Sequence, residues 1–190
     1  MIKIAILASG SGSNAEAIMK AFTFNTKIQV SIVITNNVGA GVLARADKLK
    51  VPSVVINTAQ TKEGLLLKTL LEHNIDFVVL AGYMKLIPKE LIQTYPNKIV
   101  NIHPALLPKY GGKGMYGENV HKAVAEAKEK ESGITIHFVN QNYDEGAVLF
   151  QTKVAIDPSD SYKDIGAKVL KLEHEFYPKI IEKTILNAAL

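Results

Sequence analysis

The run Ile99-Val-Asn-Ile-His-Pro-Ala-Leu-Leu-Pro108 joins a short apolar stretch to two polar side chains. Its first four residues predict a buried strand, which the proline at position 104 stops. Asn101 and His103 lie two residues apart, so in an extended chain their side chains point the same way. In open α/β sheets, ligands bind at the carboxyl ends of the strands. The run therefore predicts a site that holds an amide and an imidazole. The alternative is that Asn101 caps a turn and His103 is a structural core histidine.

Apolar runs alternate with helical patterns through the first half of the chain, as parallel βαβ units require. The predicted strands are Ile2–Leu7, Ile28–Thr35, Val54–Ile56, Phe77–Leu80 and Ile99–Ile102. The predicted helices begin near Asn14, Gly41, Lys62 and Pro88. This alternation predicts an α/β fold with a doubly wound sheet, built as a single domain over residues 1–190.

The sequence changes character after Ile102. Residues 106–117 contain four glycines, which predict a mobile loop. Two later apolar runs, separated by a segment rich in turn formers, predict a hairpin-like pair that adds one antiparallel strand to the sheet. The predicted elements are a polar helix at Val120–Lys130, strands at Gly133–Val139 and Ala147–Val154, and a long helix that Asp157–Ser161 opens and that reaches towards Leu186.

The composition is that of a soluble globular protein, with 47% hydrophobic and 21% charged residues. The chain has no cysteine, which excludes disulfides, a thiol nucleophile and cysteine-ligated metals. The first apolar run is short and ends in a glycine loop, so we interpret it as a strand and not as an export signal. We therefore expect a cytoplasmic protein that does not span a membrane.

The net charge of +4 suggests an acidic partner at first sight. However, Arg45 is the only arginine, and the lysines are scattered without interleaved aromatic residues. Forked arginine donors suit phosphate and base recognition, so their near absence argues against a nucleic-acid-binding protein. The charge is more consistent with attraction of small anionic molecules.

The segment Ser9-Gly-Ser-Gly-Ser-Asn14 follows the first predicted strand and precedes a helix. Glycines allow a tight turn there, and the N–H groups of Gly12, Ser13 and Asn14 would face an anion at the helix N-terminus. A dinucleotide fingerprint would need a third glycine where Ala15 stands. The loop therefore favours a monophosphate over NAD, and a simple chain-reversal turn is the alternative.

Two further segments follow predicted strands. In residues 80–87 we expect exposed backbone combined with apolar side chains that could line a flat heterocycle, although an ordinary strand-to-helix connection would look similar. Residues 140–146 are rich in turn formers, so a solvated hairpin tip is the default interpretation of Asp144. If the tip folds back onto His103, we expect the carboxylate to raise the pKa of the imidazole and form an acid–base pair.

Other enzyme classes lack their motifs in this sequence. The remaining histidines show no metal-ligand spacing, and the sequence contains no H-E-x-x-H, no G-x-S-x-G and no Walker A motif. A zinc hydrolase, a serine hydrolase and an NTPase are therefore disfavoured. The four histidines outside the central run are His73, His121, His137 and His174.

Several segments together resemble the phosphoribosylglycinamide formyltransferases of the folate-dependent formyltransferase superfamily. The segments are Leu7–Asn14, Leu80–Met84, Asn101–Pro108, His137–Val139, Asp144–Gly146, Glu173–His174 and Tyr177–Pro178. The resemblance implies a Rossmann-like, seven-stranded, mostly parallel sheet with helices on both faces. It also implies transfer of a formyl group from 10-formyltetrahydrofolate to the amine of glycinamide ribonucleotide, by direct attack through a tetrahedral intermediate, in de novo purine biosynthesis.

The same resemblance assigns roles to individual positions and implies no metal. The catalytic residues would be Asn101, His103 and Asp144. The ribonucleotide would contact Gly12, Ser13, Asn14, Pro104 and Glu173. The folate would contact Lys62, Met84, Lys85, Leu86, Ile87, Asn101, Asn140, Gln141, Asn142, Tyr143 and Asp144. Lys62 departs from the family pattern, because a folate-contacting arginine often stands near that place.

Three other functions are considered. A methionyl-tRNA formyltransferase and a formyltetrahydrofolate hydrolase share the chemistry, but both usually carry an extra domain, which we do not expect here. A non-catalytic nucleotide-binding module would explain the glycine loop, but it would give Asn101, His103 and Asp144 no function. The expected partners are the two small-molecule substrates, with a monomer and a homodimer both left open.

Overall fold

The computed structural model describes residues 1–188. Its strands lie where the sequence has apolar runs. The seven strands form a sheet in the order β3-β2-β1-β4-β5-β6-β7. The strands are β1 Ile2–Leu7, β2 Ile28–Thr35, β3 Ser53–Val55, β4 Phe77–Leu80, β5 Ile99–His103, β6 Glu131–Phe138 and β7 Val148–Ala155. The helices are α1 Ser13–Phe22, α2 Val42–Lys48, α3 Thr58–Lys62, α4 Leu65–Glu72, α5 Lys89–Thr94, α6 Glu118–Glu126 and α7 Tyr162–Ala188.

The predicted α/β sheet is confirmed, including its single antiparallel member. Strand β1 pairs in parallel with β2 and β4, and β2 pairs in parallel with β3. Strands β6 and β7 pair antiparallel as the predicted hairpin. Among residues 1–188, every helix is too short or too polar to span a bilayer.

The chain divides into two compact units, of which the first comprises Met1–Val100. Every residue of β4 is buried, which explains why Phe77–Leu80 is a continuous apolar run. Leu7 at the end of β1 pairs with Leu80 of β4 and with Ile34 of β2. The loops that follow these three parallel strands therefore leave the same edge of the sheet.

The second unit begins at Asn101 and contains the rest of the described chain. Strand β6 is buried along nearly all of its length, whereas β7 alternates between exposed and half-buried residues. Helix α7 continues through Pro178, and Val169, Tyr177 and Ile181 of this helix are buried. Its regular turns of buried side chains are typical of a helix that packs one face against a core.

The predicted helix beginning near Lys62 is wrong, because two helices occupy this region and Lys62 ends the first of them. Asn57 Oδ1 accepts from Gln60 N, and Gln60 Oε1 accepts from Asn57 N, which forms a capping box at the start of α3. Gly64, with φ of +83°, then separates α3 from α4. The capping signal lies in a polar stretch where apolar periodicity is weak.

Helix α6 also differs from its predicted span, since it covers Glu118–Glu126 and not Val120–Lys130. Lys128 has φ of +52°, a left-handed conformation that ends the helix before this residue. Strand β6 begins at Glu131, two residues before its predicted start. Strand β3 is displaced by one residue from its predicted position.

Candidate active site

His103 ends strand β5, and its side chain is almost fully buried, with 3% of its surface exposed. The ring Nε2 lies 2.7 Å from the main-chain oxygen of Tyr110. A carbonyl oxygen only accepts hydrogen bonds, so Nε2 carries a proton and donates it. The other ring nitrogen, Nδ1, faces Asp144 Oδ2 at 3.5 Å. Both nitrogens of His103 are therefore oriented by the protein.

Asp144 lies between two imidazole rings. Its Oδ2 accepts a hydrogen bond of 3.0 Å from Gly112 N and faces His103, while its Oδ1 lies 3.5 Å from His137 Nε2. Asp144 itself has φ of +57°, which is uncommon for a residue other than glycine and often marks a functional position. Asp144 therefore folds back onto His103, and the default interpretation of a solvated hairpin tip is wrong for this residue.

Local hydrogen bonds shape the hairpin that carries Asp144. Asn140 Oδ1 accepts from Asn142 N at 3.0 Å, and Asn142 Nδ2 donates to Glu145 Oε2 at 2.7 Å. Such Asx turns are the reason that asparagine is frequent at hairpin tips. At Gly146, a Cβ atom would lie 1.6 Å from the oxygen of Phe138, so only glycine fits where the hairpin closes.

His137 completes the cluster, although its sequence pattern did not identify it as a site residue. Its Nδ1 lies 2.8 Å from the oxygen of Phe138 and must donate to it. In the neutral ring, Nε2 then accepts from Asn101 Nδ2 at 3.2 Å. This bond orients the Asn101 amide and leaves its second N–H available to a substrate. Its sequence signal was its place in the segment His137–Val139, which contributes to the family resemblance.

The pKa values of the central pair are both lowered. Burial lowers the pKa of His103 below its ordinary 6.5, against the opposing effects of the Asp144 charge and the Tyr110 oxygen. Asp144 raises the pKa of this imidazole, as expected, but burial has the larger effect, so the net shift is downward. Burial raises the pKa of Asp144, but its interactions with His137, His103 and Gly112 N outweigh burial and lower it. At neutral pH the pair is a neutral imidazole beside a carboxylate.

Tyr110 is held at both ends. Its main-chain oxygen accepts from His103, and its hydroxyl donates to Glu129 Oε1 at 2.9 Å. Lys109 Nζ donates to the same carboxylate oxygen at 2.9 Å. Glu129 follows α6, so the end of this helix fixes the segment that orients the His103 ring.

Thr135 of β6 holds the beginning of the same loop. Its hydroxyl donates to the oxygen of Ala105 at 2.7 Å and accepts from Leu107 N at 3.0 Å. Gln151 Nε2 also donates to this hydroxyl, at 2.8 Å. The loop after β5 is therefore attached to β6 and β7, two residues beyond His103.

The glycine loop belongs to the first unit. Gly12 is the N-cap of α1 with φ of +78°, and a Cβ there would lie 2.5 Å from the Val42 side chain. Helix α1 begins at Ser13, so its first N–H groups lie at the turn where the sequence predicts that an anion binds. Arg45 stabilises this turn, because its Nε donates to the oxygen of Ser11 at 2.8 Å and its guanidinium pairs with Glu16.

The predicted folate segment after β4 is only partly exposed. Met84 and Leu86 expose 47% and 51% of their surfaces, whereas Ile87 is buried with 5% exposed. The side chain of Ile87 is therefore in the core, and this position can offer a ligand its backbone only. Lys62 is exposed at the end of α3, and its neighbour Thr61 hydrogen-bonds Tyr83.

The remaining predicted site residues lie in the second unit. Pro104 is half-buried directly after β5, and Asn140 is half-buried in the hairpin. Glu173 lies in α7 with 8% of its surface exposed, and its charge contributes to the raised pKa of the buried Tyr177. Gln141, Asn142 and Tyr143 are exposed at the hairpin tip. Residues 1–188 contain no group of three or more acidic or histidine side chains placed to hold a metal.

Comparison with known proteins identifies a family. The family model described as "Formyl transferase" matches residues 2–181. The chain is 41% identical over 186 residues to the chloroplastic phosphoribosylglycinamide formyltransferase of Arabidopsis thaliana, an alignment that covers 94% of this chain and 64% of that protein. The chain thus spans less than two thirds of the length of this plant relative.

Bacterial relatives match over more of their own length. The phosphoribosylglycinamide formyltransferase of Haemophilus influenzae is 36% identical, with 96% of this chain and 86% of that protein covered. The crystal structure of the phosphoribosylglycinamide formyltransferase from Streptococcus pneumoniae superimposes with a TM-score of 0.87 at 34% identity. That match covers 97% of this chain and 99% of the other.

Proposed function

This chain belongs to the formyl transferase family, and we propose that it transfers a formyl group from 10-formyltetrahydrofolate to the amine of glycinamide ribonucleotide. The observation that carries the proposal is the Asp144 carboxylate, held between the rings of His103 and His137 beside the Asn101 amide. These groups supply a proton acceptor and a hydrogen-bond donor in one buried place.

The substrate amine is the nucleophile in this proposal. An α-amino group has a pKa of about 8, so a substantial fraction is unprotonated at neutral pH. The amine attacks the formyl carbon, a new C–N bond forms, and the carbonyl oxygen takes up the negative charge. The second N–H of Asn101 donates to this oxygen, and such a donor typically contributes about 10²–10³ in rate.

The neutral His103 and the ionised Asp144 together can accept one proton. The attacking amine must lose a proton, and the leaving folate nitrogen must gain one as its bond to the formyl carbon breaks. The pair accepts the proton from the amine and returns it to the leaving nitrogen. Because Nε2 of His103 already donates to Tyr110, the proton enters and leaves at Nδ1 or at the carboxylate.

The ribonucleotide phosphate binds the turn at Gly12, Ser13 and Asn14. This proposal is supported by the N-terminus of α1, where main-chain N–H groups and the helix dipole favour an anion. Pro104 lies next to the amine, and Glu173 accepts from a ribose hydroxyl. Because only 8% of the surface of Glu173 is exposed, the ribose hydroxyl must reach the carboxylate at that exposed part.

The folate contacts two segments in this proposal. The first is residues 84–87 with Lys62, where Met84 and Leu86 offer exposed apolar surface and Lys85 and Lys62 offer charge to the glutamate tail. The second is the hairpin at residues 140–144 together with Asn101. Residues 1–190 act as a single catalytic domain in the cytoplasm, as a monomer or a homodimer.

A formyl-transfer assay with three acceptor conditions tests the proposal. The protein is incubated with 10-formyltetrahydrofolate and glycinamide ribonucleotide, with initiator methionyl-tRNA, or with no acceptor. We expect tetrahydrofolate to be released only in the presence of the ribonucleotide, and formylated ribonucleotide to appear among the products. Release without acceptor would identify a hydrolase instead, transfer to tRNA would identify the tRNA enzyme, and no release in any arm would favour the binding module.

A further inference from the structure

Ser9 connects three loops of the first unit and has no role in the function proposed above. The residue lies two positions after β1 and is 7% exposed. Its main-chain N donates to the oxygen of Gly82 at 3.0 Å. Its hydroxyl donates to Asn36 Oδ1 at 2.5 Å and accepts from Met84 N at 2.9 Å. The single hydroxyl proton is thus directed at Asn36, and a lone pair receives Met84 N–H.

The three loops follow β1, β2 and β4, which are neighbours in the sheet. The loop after β1 contains the phosphate turn, which begins three residues beyond Ser9. The loop after β4 contains Met84, the first residue of the proposed folate segment. Ser9 therefore sits where the ribonucleotide turn and the folate segment are attached to each other.

We propose that Ser9 is a positioning residue that sets the placement of Met84 and its following segment relative to the phosphate turn, and thereby supports binding of both substrates. This inference rests on the proposed function. Its physical basis is that two main-chain groups of residues 82–84 bond to one buried residue. Gly82 has φ of +77°, and a Cβ atom added there would have no neighbouring atom within 4 Å.

Removal of the hydroxyl leaves Met84 N and Asn36 Oδ1 without their partner. Leaving a partly buried donor without its partner typically costs enough to change an equilibrium roughly tenfold. The bond from Ser9 N to the oxygen of Gly82 is kept, so the change is at Met84, whose N–H turns towards solvent. The hydrogen bonds of His103 and Asp144 do not include Ser9, so we expect the chemical step in the bound state to be little affected.

The test compares the Ser9→Ala variant with Ser11→Ala, a matched control in the same loop. Ser11 is exposed, and the loop uses its main-chain oxygen, which accepts from Arg45 and is kept in the variant. Steady-state kinetics are measured with each substrate varied against saturating amounts of the other. In Ser9→Ala we expect KM to rise roughly tenfold for both 10-formyltetrahydrofolate and the ribonucleotide, with kcat within about threefold of the parent.

Two further variants distinguish positioning from loss of fold. Ser9→Thr keeps the hydroxyl and should restore KM values close to those of the parent. Asn36→Ala removes only the acceptor of the hydroxyl proton, so both KM values should rise by less than in Ser9→Ala. Circular dichroism and thermal unfolding show whether each variant is folded, and Asn36→Ala provides the test if Ser9→Ala is not.

The inference is overturned if folded Ser9→Ala keeps both KM values, if only kcat falls, or if Ser11→Ala behaves like Ser9→Ala. It is also overturned if Ser9→Thr is as impaired as the alanine variant. These outcomes differ from failure of the proposed function, in which the parent protein itself would not formylate glycinamide ribonucleotide.

Discussion

His103 donates a hydrogen bond of 2.7 Å from its Nε2 to the main-chain oxygen of Tyr110. Tyr110 has φ of +57°, a conformation that is uncommon in a side-chain-bearing residue and that directs its carbonyl at the ring. This bond selects one tautomer and leaves Nδ1 for the side that Asp144 occupies. The reactivity of His103 therefore depends on where Tyr110 is held.

Glu129 holds Tyr110, which leads to a first prediction. Glu129→Ala removes the acceptor of the Tyr110 hydroxyl, so the Tyr110 oxygen should orient the His103 ring less well and kcat should fall about three- to tenfold. Lys109→Ala is the control, because it removes an exposed ion pair and keeps the hydroxyl bond. Steady-state kinetics give the result. Equal effects of the two substitutions would show that the hydroxyl bond does not position the ring.

The three groups of the candidate centre lead to a second prediction. Asn101→Ala, His103→Ala and Asp144→Ala should remain folded, since each removes a polar side chain without opening the apolar core. Each should lose about 10²–10³ in kcat, because donors and proton acceptors act most strongly in the transition state. Binding of each substrate, measured by calorimetry, should change much less. Near-normal turnover in folded His103→Ala and Asp144→Ala would contradict the assignment.

The strands could be predicted from the sequence because parallel strands are buried on both faces. Short continuous apolar runs bounded by turn residues, such as Phe77–Leu80, are typical of such strands. The Asn101 and His103 pair could be predicted for the same reason, since Pro104 marks the end of the strand. These features depend on neighbours in sequence.

The other site features depend on distant neighbours and could not be predicted. His137 gains its role from Asn101, 36 residues away, and a buried polar residue in a strand does not reveal its partner. The sign of the pKa shift of His103 depends on burial, which outweighs the Asp144 charge only in the folded chain. The split between α3 and α4 depends on the capping box at Asn57, which apolar periodicity does not report.

The lowered pKa values lead to a third prediction, on pH. Burial lowers the pKa of His103 below 6.5, and the Asp144 charge opposes this effect. Removing that charge by Asp144→Asn should therefore lower the pKa of His103 further. An NMR titration of the imidazole resonances would show this directly. A higher pKa of His103 in the variant would mean that Asp144 does not interact with the ring as the structure indicates.

The same shifts determine how stability depends on pH. The unfolded chain binds more protons than the folded chain when the folded pKa is lower, so stability then rises with pH. His103 contributes a loss of stability as pH falls below about 6.5, and Asp144 contributes a further loss below about 3.8. Urea unfolding between pH 7.5 and 5.5 should show a smaller decrease in His103→Gln than in the parent.

The last prediction compares substitution of alanine for glycine at Gly12 and at Gly10. A new Cβ atom would have different surroundings at these two positions of one loop. A Cβ at Gly12 would lie 2.5 Å from the Val42 side chain and 2.8 Å from its Cα, at φ of +78°, whereas a Cβ at Gly10 has no atom within 4 Å. Gly12→Ala should therefore displace the turn, lower the free energy of unfolding by about 1–3 kcal/mol and raise KM for the ribonucleotide. Gly10→Ala should leave both quantities near their parent values, and urea unfolding with ribonucleotide kinetics compares the two. A ribonucleotide KM that is unchanged in folded Gly12→Ala would mean that the phosphate does not bind at the start of α1.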